Sequence, residues 1–114
     1  PDRNLPREAA ARSEFDVART TETRLHEKLG GEVQLARDAL SAAEQQQSAE
    51  KARAALLGER AALIEKSFRA GESALPELLR ATLADAQARA GLARQQAATG
   101  LARARLKQSQ GLLP

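Results

Sequence analysis

The residues that could do chemistry are few and scattered. His26 follows Glu22 by four positions, which on a helix sets an imidazole beside a carboxylate. A metal site needs several nitrogen, sulfur or oxygen ligands, and the chain holds one histidine and no cysteine, so this pair reads first as an ordinary solvated or seam histidine. Glu8/Arg12, Glu65/Arg69 and Asp85/Arg89 are acid-first i,i+4 pairs. Each is worth about 0.2–0.5 kcal/mol on an exposed helix and marks surface support. Glu77 and Arg80 stand three apart and can pair in the same way. Nucleophile, base and oxyanion roles need groups that converge in a pocket, and no such set is legible. We therefore expect no enzyme, no catalytic residue, no cofactor and no metal site.

The elements that carry these residues follow from composition. The 114 residues include no Cys, Met, Trp or Tyr and two aromatics, Phe15 and Phe68, so a core of large side chains is out of reach. Alanine and leucine, filled out by Glu, Arg, Gln and Lys, are the composition of long helices and coiled coils. The predicted class is all-α, a long antiparallel α-helical hairpin of coiled-coil type.

Eighteen basic and fifteen acidic residues are interleaved along the chain for a net charge of +3. With neither a basic stripe nor aromatic platforms, nucleic acid is not an expected partner. No apolar run approaches the ~18 residues that span a bilayer, and no secretory leader opens the chain, so no membrane contact by this segment is expected. It begins at Pro1 without an initiator Met, which suggests a piece whose targeting signals lie elsewhere.

Punctuation divides the chain. Asn4-Leu5-Pro6 starts a first helix expected over 6–70, Gly71 supplies a left-handed C′ position in a turn over 71–75, and Pro76 restarts a helix expected over 76–110. Gly30-Gly31 is the expected bend or onset of disorder, at roughly 1 kcal/mol per glycine, while Gly58 should be tolerated. Val33, Ala36, Leu40, Ala43, Gln47, Glu50, Ala54, Leu57, Ala61, Ile64 and Phe68 keep a 3-4 spacing. Leu79, Leu83, Ala86, Ala90, Ala93, Ala97, Gly100 and Ala104 repeat it in the second helix, and these stripes are expected to meet, with Ile64 near Leu83 and Leu57 near Ala90. Leu78, Leu92, Leu101 and Leu106 add apolar edges beyond a two-stranded contact. The first helix before Gly30 lacks a partner. Either it folds back into a three-helix bundle or its neighbours belong to a larger protein.

The turn Phe68-Arg69-Ala70-Gly71-Glu72-Ser73-Ala74-Leu75-Pro76-Glu77-Leu78-Leu79-Arg80-Ala81 resembles the periplasmic tip of TolC-like outer-membrane efflux factors, in particular the heavy-metal efflux branch. That pattern sets an aromatic three residues before a glycine, then an acidic residue and two aliphatics, here Phe68, Gly71, Glu77, Leu78 and Leu79. Pro76 departs from it, as does Arg80 where the family usually carries Asp. Pro1-Asp2-Arg3-Asn4 is similar to the family's exit from its β-barrel, and Gln110-Gly111-Leu112-Leu113-Pro114 to its terminal Leu-Gly ending.

The resemblance implies the second-repeat hairpin of a homotrimer whose twelve helices form a periplasmic α-barrel. The implied partners are a periplasmic adaptor and an inner-membrane pump, the implied location is the periplasmic portion of an outer-membrane protein, and the implied cargo is metal ions or small toxic compounds. It also implies an adaptor-binding tip at Phe68, Arg69, Gly71, Glu72, Ser73 and Ala74, and a channel entrance at Glu77 and Arg80. Against this stand a plain helix turn at the tip and an Arg80 that faces solvent or a neighbouring helix. The alternatives from other classes are the α-hairpin of an adaptor and a generic coiled-coil scaffold or dimerisation module.

Overall fold

The computed structural model describes residues 4–111. It is an antiparallel pair of helices, α1 (Leu5–Arg69) and α2 (Leu75–Gly111), joined by a five-residue turn. The expected segments at 1–3 and 112–114 lie outside the described residues. Both helices begin one residue before their proline, which occupies the second helical position, where a missing N–H costs nothing.

α1 runs through Gly30-Gly31 as continuous helix, so neither the break nor the fold-back occurs. The molecule measures 105 × 19 × 13 Å: 65 residues at about 1.5 Å each account for ~98 Å of its length, so α1 does not double back, and the 19 × 13 Å cross-section holds two helices. Neither glycine has a neighbour within 4 Å of where a Cβ would sit. A kink there would surrender backbone hydrogen bonds without gaining a contact.

The α1 face of the seam follows the expected spacing. Val33 and Ala54 are buried, and Ala36, Leu40, Ala43, Gln47, Glu50, Leu57, Ala61 and Ile64 are half-buried. At the tip it ends on half-buried Ser67 instead of Phe68, which is 36% exposed.

The α2 face differs from expectation. Ala81, Ala88 and Thr99 are buried, with Leu78, Asp85, Leu92, Gln95, Ala102, Leu106 and Ser109 half-buried on the same 3-4 repeat. The all-apolar stripe is turned outward, with Leu79 at 60% and Leu83 at 58% exposed, and Ala86, Ala90, Ala93, Ala97, Gly100 and Ala104 exposed as well. Thus Leu83 and Ala90 do not form layers with Ile64 and Leu57.

Polar contacts explain the choice of face. Gln95 Nε2 donates to the Ala43 carbonyl at 3.1 Å, and Thr99 Oγ1 lies 3.2 Å from the same oxygen and 3.0 Å from the Gln95 carbonyl. These bonds tie one α2 turn to one α1 carbonyl, which sets the register as well as the face. Higher on the seam Arg103 reaches Glu44 at 3.8 Å. Two glycines make room for carboxylates: a Cβ on Gly58 would lie 3.4 Å from Asp85 Oδ1, and one on Gly91 would lie 3.4 Å from Glu50 Oε2. Thr99→Val keeps the shape and removes the hydroxyl, so it is expected to lower stability by about 1 kcal/mol, read as a lower urea midpoint at unchanged slope.

Candidate functional site

The tip is built by the end of α1. Ala70 holds near-helical angles (φ −81°, ψ 0°), and Gly71 takes φ +76°, where an L side chain would be strained. The Gly71 N–H then donates to the Phe68 carbonyl at 3.0 Å and the Glu72 N–H to the Ser67 carbonyl at 2.9 Å. These are the two bonds of a Schellman motif, and they satisfy carbonyls that α1 would otherwise leave open. On the other side the Ala74 carbonyl accepts from Glu77 at 3.1 Å and Leu78 at 3.3 Å, so α2 starts without slack.

Of the proposed tip residues, Phe68, Arg69, Gly71, Glu72 and Ala74 are exposed. Ser73 is half-buried and its hydroxyl is hydrogen-bonded to that of Ser67, which braces the turn from within. Its side chain is therefore occupied rather than offered to a partner. Arg69 is held by Glu65 at 2.6 Å, whereas Glu72 forms no ion pair among the described residues. Leu75 (51%) and Leu79 in the first turns of α2 are exposed, as is Phe68 in the last turn of α1, so the end of the rod carries uncovered apolar side chains on both helices.

Glu77 and Arg80 border a shallow groove together with Arg60, Leu57, Ala81 and Ala84. Two guanidinium groups and one carboxylate make that groove net positive. Glu77 and Arg80 form no ion pair; among the described residues the pairs are Glu65–Arg69, Asp85–Arg89 at 3.1 Å and Arg103–Glu44. Glu8 and Arg12 also stay apart. His26 stands exposed on the unpaired part of α1, and no group of three or more His, Cys, Asp or Glu is placed to hold a metal ion among the described residues. No described helix is long and apolar enough to cross a membrane.

Two features escaped the sequence reading. Gln95 and Thr99, one turn apart amid alanines, were the available signal for the clamp on Ala43. The outward apolar stripe of α2 was visible as a pattern and assigned to the wrong neighbour. In a heptad repeat it lies roughly 150° around α2 from the seam. This helix therefore carries apolar surface on two nearly opposite sides, one covered by α1 and one uncovered. No family model, curated protein or solved structure matches the chain.

Proposed function

We propose that the hairpin is a non-catalytic segment of the periplasmic helical tube of a trimeric TolC-like outer-membrane efflux channel, docking end-on with a periplasmic adaptor that links it to an inner-membrane pump. Metal ions or small toxic compounds are the proposed cargo. The observation that carries this reading is the two-sided α2: a closed wall of helices gives each member a neighbour to the left and to the right. A self-sufficient two-helix module needs one apolar face, and α2 has two. The tip sequence supports the same reading, since Gly71 permits close backbone approach while Phe68, Leu75 and Leu79 leave apolar surface exposed on the adjoining helix ends.

The test is site-specific photo-cross-linking in the full-length parent. A cross-linker at Glu72 is expected to capture an adaptor, and one at Thr20, far up α1, to capture none. Capture of adaptor from Thr20 with none from Glu72 would reject end-on docking.

A further inference from the structure

The part of α1 above the hairpin is exposed throughout residues 5–28 and reaches half-buried Leu29, and it continues the same seam. Stepping up from Val33 by the alternating spacing that packs α2 leads to Leu29, His26, Glu22, Arg19, Phe15, Arg12, Glu8 and Leu5. Leu5 is 60% and Phe15 62% exposed, and the Arg19 guanidinium lies 5.9 Å from the Phe15 ring centre. We propose that this overhang pairs antiparallel with the overhang of a second copy of the chain, joining two hairpins into one longer rod.

The occupant is identified by complementarity. Set antiparallel with Leu5 facing the second copy's Leu29, the series matches itself: Glu8 meets His26, Arg12 meets Glu22, and Phe15 meets Arg19, each pair occurring twice by symmetry. The centre is then a cluster of two phenyl rings and two guanidinium groups, an arrangement that the Phe15–Arg19 contact within one chain already samples. Other arrangements do worse. A parallel pair sets Glu8, Arg12, Arg19 and Glu22 each against its own like charge. A slip of one heptad sets Leu5 against Glu22 in one direction, or Glu8 against Val33 and Arg12 against Leu29 in the other.

Length and direction agree with this register. The overlap uses the whole overhang, about 37 Å at ~1.5 Å per residue. The second copy's α1 then lies in line with α2 and continues its direction, so the carbonyl end of one helix faces the amide end of the next, a favourable placement of dipoles. The interface is an extension of the seam and makes no use of the outward stripe of α2; it points the two tips in opposite directions, so a copy paired in this way is not also a member of a tube whose tips all face one adaptor.

The experiment is sedimentation equilibrium with small-angle scattering on the whole chain, up to about 0.5 mM at low and high salt, with helicity followed by circular dichroism. A dimer is expected whose longest dimension is about 170 Å, two 105 Å rods sharing ~37 Å. Arg12→Glu and Glu22→Arg should each weaken it roughly tenfold or more, and the double variant R12E/E22R should return to within about threefold of the parent. Three results would overturn the proposal: a chain that stays monomeric throughout, a dimer no longer than a single rod, or reversals that the double variant does not rescue.

Discussion

Replacing Ala88 with leucine is expected to cost about 1–3 kcal/mol and to loosen the hairpin in mid-seam. Ala88 is 5% exposed and Ala54 on the facing helix 8%. The two stand at one height, because the Gly58–Asp85 approach lies one turn below them and the Glu50–Gly91 approach one turn above. Four small or glycine-matched positions within two turns leave no slack into which an isobutyl group could relax. Ala90→Leu, two residues away on the outward stripe, is the control, expected within about 0.5 kcal/mol of the parent. Urea denaturation followed at 222 nm separates the two. If A90L were the damaging change and A88L the harmless one, the assigned α2 face would be wrong.

Gly71→Val is expected to cost about 1–2 kcal/mol for a different reason. Nothing lies within 4 Å of where its Cβ would sit, so no clash at that atom sets the cost. The cost is conformational: φ +76° suits glycine, and a β-branched residue would abandon it, releasing the Gly71 and Glu72 N–H groups from the Phe68 and Ser67 carbonyls. Gly71→Asn, which tolerates the left-handed region, should recover most of the loss. Thermal unfolding distinguishes them, and a valine variant as stable as the parent would show that the turn does not need its left-handed residue. Under the proposed channel function, the same change should weaken adaptor capture while the helices stay folded.

The α1 half of the seam was legible because its apolar positions form one dominant line from Val33 to Ile64. Its lower end was misread by one residue: the Schellman turn closes on Ser67, which pairs with Ser73 and pushes Phe68 to the rim. In α2 two lines compete. Leu79 to Ala104 is the more apolar, and hydrophobic spacing alone selects it. The chain buries the line holding Asp85, Gln95 and Thr99, whose polar atoms find partners across or along the helix. A count of apolar residues cannot weigh those bonds, because their value depends on the register that they create. Gly30-Gly31 was overread for a related reason, since intrinsic propensity counts the cost of glycine and omits the continuous hydrogen bonding on either side.

The clamp on the Ala43 carbonyl also has a mechanical consequence. A seam made of a single file of layers is weak or strong according to the direction of load. Prised apart at its open end, between Val33 and Ser109, it peels one layer after another, and each layer in turn bears the whole force. Drawn lengthwise, with α1 hauled against α2, every layer shares the load at once. The Gln95–Thr99 grip then acts as a detent that must be cleared before the helices can slide by a heptad. The rod is therefore suited to carry thrust and drag along its axis, and it splits most readily from the end opposite its tip.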